Sequence, residues 1–148
     1  MRTLRELTAP CGLDCFNCDM YEENLTGERR DALSLALEIP KESVGCKGCR
    51  ASKGKRLGFE SCATLECAGK KKVEFCFPCA EFPCSKLQPA ADGADSDPHN
   101  MKLFNLCRMK AVGVDRWATE EAPEIRRRYF HGSVVAGQGV VMKPDPKA

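Results

Sequence analysis

Long apolar runs are missing from this 148-residue chain. Nowhere do about 18 apolar residues follow one another, so the sequence holds no membrane-spanning helix. The start, Met1-Arg2-Thr3-Leu4-Arg5-Glu6-Leu7, has neither an apolar h-region nor a small-residue cleavage site. No secretory signal is therefore read, and a cytoplasmic location is expected. Aromatic residues are scarce, with one Trp, two Tyr and seven Phe. Between Cys46 and Cys84 the core material is Leu57, Leu65, Val73 and a few Phe. Such a segment cannot offset about 1–2 kcal/mol of backbone entropy per residue and needs a staple. Histidine is scarcer still: His99 and His131 have no metal-motif spacing to each other and read as helix-end or loop residues. Also absent are G-x-S-x-G, a P-loop and a G-x-G-x-x-G after a strand; Gly137-Gln-Gly139 reads as a turn. No catalytic triad can be argued, which leans the reading away from an enzyme.

Cysteine is what the chain has instead. Eleven residues are Cys, and ten of them lie between Cys11 and Cys84. A reducing compartment disfavours disulfides, and an odd number suits a disulfide framework poorly. Burial of free thiols as small hydrophobes would leave their spacing unexplained. Metal ligation explains it, and a structural zinc supplies about 10–16 kcal/mol of binding free energy at neutral pH. The formal net charge of +2 treats every Cys as neutral. Eight thiolates around two divalent ions would turn it to −2, so the mildly basic pI does not by itself argue for nucleic acid.

Two C-x2-C knuckles stand out, Cys46-Lys-Gly-Cys49 and Cys76-Phe-Pro-Cys79. A two-residue gap lets backbone amides turn around one ion while both sulfurs reach it, and four thiolates close a tetrahedral zinc site. These four are expected to share an ion. Cys62, Cys67 and Cys84 form a second, looser set, and the trio Cys11, Cys15 and Cys18 can donate its fourth ligand. Cys11-x3-Cys15-x2-Cys18 also matches the three-cysteine tripod of radical S-adenosylmethionine enzymes. Those enzymes need an α/β scaffold, and no alternating strand–helix pattern is present here. A plain iron–sulfur carrier stays open, since thiolates alone hold such clusters, though the spacing is not that of ferredoxins. Cys107 is expected to pack on an apolar helix face with Met101 and Phe104.

A helix is expected from about Thr26 to Ile39, with Thr26 as N-cap, Leu33, Ala36 and Leu37 on one face, and Pro40 as its stop. A turn or two of helix is expected near Ala63–Lys72. Residues 88–97 read as an exposed acidic linker, and Asp97-Pro98 as N-cap and first residue of a helix to Val112. Gly113 is its C′ residue. Asp115 is expected to cap a short helix that Pro123 interrupts, with Glu124–Phe130 continuing. Val134-Val135 and Val140-Val141 around a Gly-rich turn read as a hairpin, and the final KPDPKA as disordered. Residues 41–72 carry nine Lys or Arg against three Glu. Lys53-Gly-Lys55-Arg56, Lys70-Lys71-Lys72 and Arg126-Arg127-Arg128 could grip phosphates, but such clusters are usually solvated faces.

The stretches CGLDCFNCDMY (Cys11–Tyr21), GCKGC (Gly45–Cys49), KKVEFCFPCAEFPCSKL (Lys71–Leu87) and PHNMKLFNLCRMKAVGVDRW (Pro98–Trp117) resemble an uncharacterised family of small cysteine-rich prokaryotic proteins, a domain of unknown function thought to bind zinc. The resemblance spans about residues 8–117. It implies metal binding and no established activity. Two departures stand out: Phe59 occupies a position where many relatives carry Cys, and no zinc ribbon follows Trp117.

The expected fold is a small α-rich, metal-stabilised domain of helices and irregular cysteine loops with a short C-terminal β-hairpin. It divides into a cysteine-rich region (1–87), the acidic linker (88–97), a helical segment packing on that region (98–130) and a hairpin with tail (131–148), all one domain. The expected ligands are Cys11, Cys15, Cys18, Cys46, Cys49, Cys62, Cys67, Cys76, Cys79 and Cys84, holding two or more zinc ions, with an iron–sulfur cluster as the alternative. The expected role is a zinc-binding interaction or regulatory module whose partner is unknown, with protein first. A nucleic-acid-binding zinc protein and an iron–sulfur redox or radical-type enzyme remain as alternatives.

Overall fold

Thr26 starts the first helix as its chemistry requires. In the computed structural model, which describes residues 1–56 and 59–142, Thr26 is extended and its Oγ1 accepts from the Arg29 amide at 3.2 Å. Helix α1 (Gly27–Leu37) comes next, and Glu38, left-handed at φ 52°, ends it ahead of Pro40. Its expected apolar face is not used: no residue of α1 is buried, and Leu35 and Leu37 are exposed. The helix is tied instead through polar groups, Arg30 Nη1 to the Val44 carbonyl at 2.6 Å and Ser34 Oγ to the Ile39 carbonyl at 2.6 Å.

Helix α2 (Ala63–Lys70) lies among the cysteine loops. A 3₁₀ turn, Pro98–Asn100, leads into α3 (Met101–Val112), without a side-chain cap from Asp97. The buried face of α3 is Met101, Asn105, Leu106 and Met109, while Phe104 and Cys107 are exposed. The expected 101/104/107 stripe is therefore corrected to one that advances by four. Asn105 hides this pattern in the sequence, because it is a polar residue at the centre of an apolar face. It is accommodated by a buried bond from its Nδ2 to the Gly12 carbonyl at 2.8 Å.

Gly113 ends α3 at φ 89°, and α4 (Val114–Arg116) begins without a cap from Asp115. Pro123 does not interrupt the helical path beyond α4. Residues Trp117–Glu121 form a π turn, in which the Ala122 amide reaches back to the Trp117 carbonyl, and α5 (Ala122–His131) continues with Pro123 in its first turn. The wider turn absorbs the proline's missing N–H without breaking the rod. Strands β1 (Gly132–Val135) and β2 (Gly139–Met142) pair antiparallel, Val134 opposite Val140. The tail 143–148, expected to be disordered, and Leu57, counted as core material, lie outside the described residues.

The core draws on distant parts of the chain. Ala9 and Cys11, Phe75 and Leu87, and Leu106, Met109, Val114, Trp117, Ala118 and Ala122 form one buried cluster. The linker 88–97 is mostly exposed, and the Tyr129 hydroxyl pins it by donating to the carbonyls of Ala94 (3.1 Å) and Asp97 (2.9 Å). The molecule is thus α-rich with a terminal hairpin. No helix among the described residues is long and apolar enough to cross a membrane.

Candidate metal centre

The ten cysteines divide between two cavities, and the division is not the one spacing suggests. Cys67, Cys76, Cys79 and Cys84 line a small cavity of about 20 Å³. Cys11, Cys15, Cys18, Cys46, Cys49 and Cys62 line a wide cleft of about 1080 Å³. The knuckles Cys46–Cys49 and Cys76–Cys79 therefore line different cavities. The fold decides this at long range: the Cys76 amide donates to the Pro10 carbonyl at 2.9 Å, while Cys46 is bridged to Tyr21 beside the N-terminal loop.

Around the small cavity, α2 supplies Cys67 and a tight turn supplies Cys76 and Cys79, the Cys79 amide donating to the Cys76 carbonyl at 3.1 Å. Cys84 comes after the cis Phe82–Pro83 bond. Burial pushes the Cys76 thiol up to about 11, and the thiols Cys84, Cys67, Cys79 and, from the cleft side, Cys62 add to the rise. Lys71 and Glu81 also line this cavity and form an ion pair, and the Lys71 ammonium feels the charges of Cys79 and Cys67. A space of this size admits about one water-sized group, and four sulfurs are the donor set of a closed zinc site. The residues present fit one such ion by number and chemistry. Among the described residues, no three Cys, His, Asp or Glu side chains have their donor atoms gathered to ion-holding distance as they stand.

The cleft is built on the loop Cys11–Cys18 and on the Cys46–Cys49 knuckle. Cys18 closes a 3₁₀ turn by donating its amide to the Cys15 carbonyl at 3.1 Å. The Gly48 amide donates to Cys46 Sγ at 3.3 Å. Cys11 is buried, and desolvation pushes its thiol up to about 12, with Lys102 pulling the other way. The Cys15 thiol is raised strongly by contact with Cys49 and by burial.

Several positioning groups have no motif to reveal them. Asp14 is wholly buried; burial raises its carboxyl, and Arg126 Nη1 at 2.8 Å and Asn17 Nδ2 at 3.0 Å counter that rise. Phe16 meets Trp117 edge-on with centroids 6.2 Å apart. Arg50 donates to the carbonyls of Thr8 (2.9 Å) and Glu74 (2.8 Å) and lies over the Phe75 ring. Asn105 on Gly12, Trp117 on Phe16 and Arg126 on Asp14 clamp the Cys11–Cys18 loop from α3, the π turn and α5, while Arg50 ties the loops to one another. Their signal in the sequence is only a basic or aromatic residue far away, and Arg126 reads there as part of a surface cluster. Its neighbours Arg127 and Arg128 pair with Glu124, whose carboxyl they hold down at about 2. His99 sits in the turn before α3, and His131 ends α5.

No curated protein and no solved structure matches the chain. A family match takes in every cysteine of both cavities and ends before the 98–117 segment included in the resemblance. Residues 7–89, more than half of the chain, match the family described as a protein of unknown function (DUF3795), and the chain belongs to that family.

Proposed function

We propose that this protein is a structural zinc-binding module that works in the reducing cytoplasm. The observation that carries the reading is the small cavity, where Cys67, Cys76, Cys79 and Cys84 arrive from a helix, a tight turn and the loop beyond it. Four thiolates fill the coordination shell of a zinc ion and leave no open position for a substrate. Such an ion staples the aliphatic-poor segment 41–84 and shapes a surface, so the role is interaction or regulation rather than turnover. Iron in place of zinc would colour the protein brown.

Elemental analysis of the untagged chain, purified without added metal, tests this. At least two zinc ions per chain are expected, and Cys67→Ser, Cys76→Ser, Cys79→Ser or Cys84→Ser should each remove one of them. Stoichiometric iron, or unchanged zinc in all four variants, would sink the reading.

A further inference from the structure

With four cysteines at the small cavity, six remain on the wide cleft: Cys11, Cys15, Cys18, Cys46, Cys49 and Cys62. Six thiolates are two too many for one tetrahedral ion. They suffice for two, because two ions that share two bridging sulfurs are both four-coordinate with six ligands.

The fold arranges the six in the order such a pair needs. After Cys18 the chain turns, with the Tyr21 amide donating to the Cys18 carbonyl at 2.9 Å, and runs beside Cys46, whose amide donates to Met20 at 2.7 Å. That puts Cys18 and Cys46 on one side. In the middle, Cys15 meets Cys49, and a Cβ built on Gly48 would stand 3.7 Å from the Cys15 Cβ. Beyond Cys49 the chain folds back at once: the Gly54 amide donates to the Cys49 carbonyl at 2.9 Å. Gly54, at φ 82°, lies so close to Cys62 that a Cβ there would stand 2.8 Å from the Cys62 Cβ. Cys11 and Cys62 line the same cleft and are the two left for the other side.

We propose that the cleft holds a dinuclear zinc site, with the sulfurs of Cys15 and Cys49 shared between the ions, Cys18 and Cys46 completing one shell and Cys11 and Cys62 the other. The proposal rests on the zinc reading above and raises the content to three ions per chain, using all ten cysteines between Cys11 and Cys84. Two zinc ions displace six thiol protons on binding, and the resulting site carries −2. Lys102, which lines the cleft, offsets part of that charge.

Native electrospray mass spectrometry of the zinc-loaded full chain, prepared anaerobically, reads the count directly. Wild type should carry three ions, Cys15→Ser one, Cys18→Ser two, and Cys67→Ser two. Cadmium-113 NMR of the wild type avoids any folding defect in the variants: two of the three resonances should show coupling to each other through a shared sulfur. The proposal is overturned if Cys15→Ser loses no more metal than Cys18→Ser and the cadmium resonances are uncoupled, or if the cleft takes iron and sulfide. If Cys67→Ser keeps the wild-type count while Cys15→Ser loses two ions, the small-cavity site falls and the dinuclear site stands.

Discussion

Arg126 reaches a carboxylate that no water touches. Asp14 is fully buried, so removing its guanidinium partner leaves an uncompensated charge, a loss of about 3–5 kcal/mol. Arg126→Ala should therefore destabilise the zinc-loaded protein strongly in urea titrations. Adding Asp14→Asn should restore part of the loss, since the amide keeps an oxygen for Asn17 and carries no charge. Equal stability of the single and double variants would show that the carboxylate finds another partner. Cys107 stands at the opposite extreme. It is exposed on α3, so it should be the first thiol alkylated in the native protein, at one equivalent. Cys107→Ala should keep full metal content and change stability by no more than about 0.5 kcal/mol.

Elements meet closely at Gly12, where α3 lies on the Cys11–Cys18 loop. Gly12 has φ +91°, and a Cβ there would stand 2.8 Å from the Lys102 carbonyl and 2.9 Å from Leu106 Cγ. Gly12→Ala must push the helix off the loop, at a cost of about 1–3 kcal/mol from overpacking alone. Thermal melting of the variant should show that loss, and an unchanged melting temperature would mean the contact yields freely. Local chemistry made several elements legible: the Thr26 cap, the Gly113 stop and the valine hairpin each depend on residues within a few positions. The buried face of α3 was not legible, because Asn105 is explained only by the Gly12 carbonyl, 93 residues away. Nor was the π turn before Pro123, since proline's usual effect is to end a helix and here the preceding turn widens instead.

For the molecule as a whole, the cysteine loops and the C-terminal helices share one core but differ in what else holds them. Residues 98–131 carry Leu106, Met109 and Trp117, whereas 41–84 bury only Val44, Ala68 and Phe75 among their hydrophobic residues described. Chelation of the metal should therefore open 41–84 to protease first, with α3 and α5 surviving longer. An unchanged digestion pattern after complete metal removal would deny the metal its stapling role. The sequence identifies the candidate ligands, because ten clustered thiols have few other readings. It does not reveal which of them share a cavity. Spacing governs only neighbours such as Cys76 and Cys79, while the partition depends on where Pro10 and Tyr21 anchor the two knuckles.

Trp117 gives the protein an optical reporter of its own. It is the only indole in the chain, it is wholly buried, and its ring stands against Phe16 inside the Cys11–Cys18 loop. Its emission thus senses the polarity at the point where the C-terminal helices grip the Cys11–Cys18 loop. Opening that loop would admit water to the ring and move the fluorescence to longer wavelength. The metal binding proposed for the cleft can then be followed in real time without a label.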